Sequence, residues 1–207
     1  MPARNSEVSG AMPSMTRVRI LCISGSLRRD SYNWRLLQAA GELASVEAEL
    51  VLWEQLKVLP PFDEDDEPTP PAAVRAFREA IDAAGALLIA TPEYNASVPG
   101  QLKNALDWAS RPYETNVLRG KPVAVIGASP GRSGAAGAQA ELRTVLTRIG
   151  AQVLKGGFTL PHAVDQFDQH GSLVPAHQAP LRQVLARLTR AAQQHDQSLA
   201  QALAIAV

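Results

Sequence analysis

The chain has 207 residues, 46% of them hydrophobic, which is enough for one domain with a full core. Lys and Arg total 20 and Asp and Glu total 20, a balance that gives no electrostatic case for nucleic acid or an anionic membrane surface. A single cysteine, Cys22, excludes an intrachain disulfide framework and a cysteine-based zinc site and fits a reducing cytoplasm, and the longest apolar runs are far too short to span a bilayer.

Residues 1–16 are polar and lack the apolar stretch of a secretory signal. They read as a disordered tail ahead of one domain over residues 17–207, with Met12 or Met15 as alternative starts. Residues 18–23 form a first apolar strand, and residues 31–44 carry Trp34, Leu37, Ala40 and Ala44 at helical spacing. Residues 46–53 alternate as a second strand. A proline-rich acidic loop follows over residues 59–71; its run Asp63-Glu64-Asp65-Asp66-Glu67 lacks the spacing of a cation loop and reads as solvated. Residues 72–83 are a helix with Val74, Phe77 and Ile81 on one face, and residues 86–90 are an all-apolar third strand. A third helix covers residues 98–110, a fourth strand 123–126, a fourth helix 133–149 and a short fifth strand 152–154. A loop with His162, His170 and His177 precedes a last amphipathic helix over residues 179–206; the three histidines lack metal-ligand spacing. Near-continuous apolar strands alternating with helices mean a parallel sheet covered on both faces. Five such units predict a flavodoxin-like doubly wound α/β fold with a five-stranded sheet, order 2-1-3-4-5.

In such sheets ligands bind at the carboxyl ends of the strands, so three loops carry the chemistry. The loop after the first strand runs Ser24-Gly25-Ser26-Leu27-Arg28-Arg29-Asp30-Ser31-Tyr32-Asn33 and enters a helix. A helix N-terminus favours phosphate, hydroxyls and an amide add neutral donors, and Arg28 adds a forked charged one. Neither G-x-G-x-x-G nor the P-loop pattern is present, which argues against a tightly held pyrophosphate and against ATP or GTP hydrolysis. The loop after the third strand, Thr91-Pro92-Glu93-Tyr94-Asn95, offers a ring and a polar edge to a flat heteroaromatic ligand. The loop after the fourth strand matches G-x-S-x-G at Gly127, Ser129 and Gly131, and the later His162, His170 or His177 with Asp165 or Asp168 follow the chain order of a hydrolase triad. Pro130 stands against that reading: the residue after the nucleophile must donate its N–H to the oxyanion, and proline has none. The glycines then read as room for backbone beside a ligand edge. A phosphate on a flexible stem joined to a planar heterocycle describes FMN.

Three motifs carry a family resemblance. They are Gly25-Ser26-Leu27-Arg28-x-x-Ser31-x-Asn33, then Pro92-Glu93-Tyr94-Asn95-x-Ser97-x-Pro99-Gly100-x-Leu102-Lys103-Asn104-Ala105-x-Asp107-Trp108, then Ser129-Pro130-Gly131 with Gln139 and Leu142-Arg143. On these the chain resembles the NADPH-dependent FMN reductases of flavodoxin-like fold, the group that includes chromate/quinone reductases and azoreductases, over about residues 17–190. The resemblance implies FMN phosphate held by Ser26, Arg28, Ser31 and Asn33, with Leu27 and Tyr32 beside them. It implies the isoalloxazine against Pro92, Glu93, Tyr94 and Asn95, with Ala128, Ser129 and Gly131 on the other side. It implies two electrons passing from NADPH, with NADH as a substitute, through FMN to a quinone-, chromate-, azo- or flavin-type small-molecule acceptor, and a homodimer or tetramer. No side chain is assigned as a catalytic acid or base. An electron carrier without reductase activity is the alternative, though carriers tend to be strongly acidic. The chain departs from the family at Ala135, where glycine is usual, and at Gly137, where a basic residue is usual. Lys103 and Asp107 suit an i, i+4 pair, Trp108 an apolar anchor, and Arg111 a subunit interface or plain surface.

Overall fold

In the computed structural model, which describes residues 17–205, the backbone runs β1 (Val18–Ser24), α1 (Tyr32–Leu43), β2 (Ala48–Trp53), α2 (Ala72–Asp82), β3 (Ala86–Ala90), α3 (Gly100–Ala109), β4 (Pro122–Ala128), α4 (Ala136–Ile149), β5 (Gln152–Val153), β6 (Phe158–Leu160) and α5 (Pro175–Ile205). The sequence reading of residues 1–16 lies outside the described residues. All strand pairings are parallel, in the order β2-β1-β3-β4-β5, with β6 also paired to β4. This is the flavodoxin-like order that the sequence predicts.

The fifth position of the sheet is split. Val123 pairs with Val153 and Ile126 with Phe158, so residues 154–157 oppose only Ala124 and Val125. Arg143 explains the interruption. Its Nη2 donates to the Val125 carbonyl at 3.2 Å, occupying an acceptor that a continuous edge strand would use. The sequence places only a short strand at residues 152–154, because nothing local announces that a helix arginine substitutes for part of the ladder.

Successive residues of the continuously apolar β1, β3 and β4 point to opposite faces, so these central strands feed two cores. Ile20 and Cys22 of β1 pack with Leu36 of α1 and Leu188 of α5 on one face. Leu21 and Ile23 pack with Phe77 of α2, Trp108 of α3 and Leu142 of α4 on the other. Burial pushes the Cys22 thiol up to about 12, so its thiolate fraction at neutral pH is negligible. We expect Cys22 to stay unmodified by a water-soluble thiol reagent in the native protein and to react on denaturation. Mass spectrometry after each treatment reads the outcome, and rapid native labelling would contradict the buried placement.

Element boundaries shift where backbone geometry overrides pattern. β2 starts at Ala48, and Val46 is 83% exposed. α4 starts at Ala136, three residues later than the pattern indicates, because Gly134 and Ala135 both have positive φ (54° and 64°). α5 starts at Pro175, whose fixed φ suits a first helical position, so His177 is helical rather than in a loop. The exposed Lys103–Asp107 pair forms, at 2.7 Å.

The polar face of α3 fixes the loop after β2. Gln101 Nε2 donates to the Leu56 and Leu59 carbonyls (2.8 and 3.0 Å). Asn104 accepts from the Phe62 amide and donates to the Pro60 carbonyl, which also receives the Trp108 indole N–H at 2.9 Å. The motif residues after Pro99 thus staple a proline-rich segment whose backbone makes few ladder bonds of its own. Arg111 lies over the Phe62 ring, 5.5 Å from its centroid, and within 4 Å of Glu64 and Glu67, so it is engaged inside its own chain.

Candidate functional site

β1, β3 and β4 end side by side: Ser24 is level with Ala90 and Ala90 with Ile126. Their following loops therefore meet at one edge of the sheet. Ser31 caps α1, its Oγ accepting from the Asn33 amide at 3.2 Å. That geometry turns Asn33 inward, where it is 2% exposed. Its Nδ2 donates to the Ala128 carbonyl (3.0 Å) and its Oδ1 accepts from the Ala128 amide (2.9 Å). The side chain thus clasps the end of β4 to the start of α1, holding the loops after β1 and β4 at a fixed separation.

The loop after β3 folds back on itself. Tyr94 and Ser97 exchange both backbone hydrogen bonds at 3.0 Å, and Asn95 and Ala96 between them have φ of 52° and 61°. Two consecutive positive φ values make this a type I′ turn, for which Asn-Gly is the favoured pair. Ala96 is exposed and carries a Cβ that the conformation disfavours. Ala96→Gly is expected to raise stability by about 0.5–1 kcal/mol, a gain readable in a denaturant titration; a loss of stability would mean the turn is not of this type. The turn presents the Tyr94 ring, 46% exposed, with its hydroxyl 3.2 Å from Ser26 Oγ.

Among the described residues Glu93 is the one acid that lines the cavity between these loops, and the fold draws it aside. Its Oε2 accepts from the Ala138 amide at 3.0 Å, at the positive end of α4. Gly137 makes that approach possible: a Cβ there would stand 2.8 Å from Glu93 Oε2. The departure from a basic residue at position 137 is thus matched by a carboxylate that backbone, not a side chain, neutralises.

These loops enclose a cavity of about 80 Å³ lined by Ser26, Arg28, Ser31, Tyr32, Asn33, Pro92, Glu93, Tyr94, Ala128 and Ser129, with Pro130, which the sequence reading leaves out. Leu27, Asn95 and Gly131 do not line it. Leu27, 44% exposed, instead borders two larger cavities, of about 480 and 440 Å³, which Arg28 borders as well. Asn95 is spent on the turn. Tyr32 lies parallel to Phe167, with ring centroids 6.4 Å apart. Gly127 gives no room to a ligand, since a Cβ there would meet the Gln139 side chain and the Thr91 carbonyl at 2.7 and 2.8 Å. The close approach is needed by the protein itself.

The small cavity has room for only part of a cofactor-sized ligand. Its donors suit a phosphate: three serine hydroxyls, a helix N-terminus and the Arg28 guanidinium, which has no carboxylate within 4.0 Å and no side-chain hydrogen bond among the described residues. A serine-hydrolase centre is not assembled. Ser129 Oγ accepts from the Gly131 amide at 3.1 Å, the Ser129 amide donates to the Leu160 carbonyl, and among the described residues no histidine side chain is hydrogen-bonded to it.

Comparison with known proteins fits this geometry. The profile of the NADPH-dependent FMN reductases matches residues 18–165. The chain belongs to this family. Among similar FMN reductase relatives is a 2-hydroxy-1,4-benzoquinone reductase from a Burkholderia species, 40% identical over 158 residues, or 76% of this chain and 86% of that protein. A quinone reductase from Escherichia coli K12 is 37% identical over 140 residues, 67% of this chain and 74% of that one. Among solved structures, FerB from Paracoccus denitrificans, a flavoenzyme NAD(P)H:(acceptor) oxidoreductase, superposes with a TM-score of 0.78 at 35% identity, covering 86% of this chain and 98% of its own. The chain is thus an oxidoreductase of flavoenzyme fold. Among its described residues no helix is long and apolar enough to cross a membrane.

Proposed function

We propose that this FMN reductase family member binds FMN at the three-loop site and passes two electrons from NADPH, with NADH as a substitute, to a quinone-type small molecule. The observation that carries the reading is the charge arrangement of the small cavity: Arg28 stands without a partner while the sole carboxylate, Glu93, is turned onto α4. A phosphate gains a forked cation there and meets no free acid. Ser26, Arg28 and Ser31 would hold the phosphate, Asn33 would position Ala128, and Pro92, Glu93, Tyr94 and the backbone around Ser129 would flank the ring. Asn95 and Gly131 would act through the shape of their turns, and Leu27 and Tyr32 as walls.

Bound FMN would supply the two-electron chemistry, with the protein providing binding, orientation and electrostatics. Of the groups lining the small cavity that could move a proton, Glu93 is held by the Ala138 amide and Tyr94 lies beside Ser26 Oγ; neither these nor Tyr32 is assigned that role. Chromate, azo and free-flavin acceptors fall under the same proposal, because an accessible carrier reduces many oxidants. So do self-association as a dimer or tetramer and a cytoplasmic location, which the family resemblance and the lone buried Cys22 support.

The test is flavin content of the purified protein, then oxidation of NADPH and NADH with benzoquinone, chromate, an azo dye and free FMN. Protein that takes up no FMN refutes the reading. Protein that holds FMN but oxidises neither nucleotide selects the electron-carrier reading. Light scattering after size exclusion reads the oligomeric state.

A further inference from the structure

The two larger cavities adjoin the small one through Ser26, Arg28 and Tyr94, and they share Leu27, Arg28 and Lys57 with each other, forming a trough that extends beyond Arg28 to the loop after β2. Each lies in the volume range of nucleotide-sized ligand sites. The trough is cationic. Arg28, Arg29 and Lys57 border it against a single carboxylate, Glu54. Among the described residues none of these three cations has a carboxylate within 4.0 Å or a side-chain hydrogen bond. Exposed basic side chains are common, but three converging on one cavity without internal partners raise the local positive potential and favour an anionic ligand there.

The trough also has an aromatic wall, Trp34 from α1 and Trp53 from the end of β2, and the Trp53 indole Nε1 is buried without a partner. Its floor is pre-organised. Gln101, which borders the second cavity, holds the Leu56 and Leu59 carbonyls on either side of Lys57. A ligand would therefore meet Lys57 on a segment that is already fixed, with little ordering cost.

We propose that this trough holds the phosphoadenosine half of NADPH, with Arg29 and Lys57 on the 2′-phosphate and the tryptophan wall beside the adenine. The inference rests on the nicotinamide-dependent reading of the neighbouring site. The charge count fits. With Arg28 given to the FMN phosphate, two cations remain for a group carrying close to two negative charges at neutral pH, the one group that separates NADPH from NADH. Aromatic walls stack adenine without a fixed pattern of hydrogen bonds.

The experiment is calorimetric titration of the FMN-loaded protein with adenosine 2′,5′-bisphosphate, and with adenosine 5′-monophosphate as the control that lacks the 2′-phosphate. Wild-type protein, Arg29→Ala, Lys57→Ala and the double variant are compared. Each single substitution is expected to weaken bisphosphate binding about tenfold and to change monophosphate binding less than threefold. KM for NADPH should rise in proportion, with flavin content and KM for NADH unchanged. Unchanged bisphosphate affinity in the double variant overturns the proposal, as does an equal loss for both nucleotides. A protein that binds the bisphosphate through Arg29 and Lys57 but oxidises neither nicotinamide would refute the reductase reading and leave this site standing.

Discussion

Asn33→Ala is expected to lower the stability of the folded protein by about 3 kcal/mol and to abolish tight FMN binding. Two buried hydrogen bonds would be lost, and the Ala128 amide and carbonyl would both lose their Asn33 partner at a position only 1% exposed. Each such orphaned group costs on the order of 1–3 kcal/mol. For a domain of this size the melting temperature should fall by roughly 6–12 °C in a thermal scan. The effect on FMN follows from geometry: without the clasp, the loop carrying Ser129 is no longer held opposite Ser31. Asn33→Asp should not rescue, because it keeps an acceptor for the Ala128 amide but sets a carboxylate against the Ala128 carbonyl. A stability change under 1 kcal/mol for Asn33→Ala would show that the clasp is dispensable.

Arg28→Ala should do the opposite. Arg28 is exposed and its side chain makes no hydrogen bond among the described residues, so the apoprotein should melt at an unchanged temperature. A forked arginine–phosphate contact contributes about 1.5–3 kcal/mol, so the dissociation constant for FMN should rise roughly 10- to 100-fold. Fluorescence titration of apoprotein with FMN measures it. Unchanged affinity would refute the assignment of the phosphate to this loop. Set beside each other, the two variants separate a residue that builds the site from one that touches its ligand.

That separation was not legible in the sequence. Ser31 and Asn33 stand two apart in a phosphate-type loop, and residue chemistry alone makes both candidate donors to the ligand. The structure uses Ser31 as a cap, and the helical turn it starts carries Asn33 to a backbone 95 residues away. Asn95 has the same history. Its amide suggests a ligand edge, but its positive φ assigns it to the turn that displays Tyr94. Glu93 is a third case. It reads as part of a flavin-facing motif, and its carboxylate is fixed by the N-terminus of α4, reached through the space that Gly137 leaves.

The order of elements and the sheet topology were legible, because alternation of apolar strands with amphipathic helices is a local, periodic signal and chain chirality leaves few ways to assemble it. That the loops after the first, third and fourth strands meet was legible for the same reason, since the topology brings the ends of β1, β3 and β4 to one edge. The exclusion of a hydrolase was a covalent fact, the missing N–H of Pro130. What only the tertiary structure decided is which polar groups are spent on the protein and which remain for a ligand. Asn33, Glu93, Gln101, Asn104 and Arg143 are all held by backbone groups distant in sequence. Arg28, Arg29 and Lys57 are not. Hydrogen bonding across the fold is set by where a loop passes in three dimensions, and a one-dimensional pattern carries no record of it.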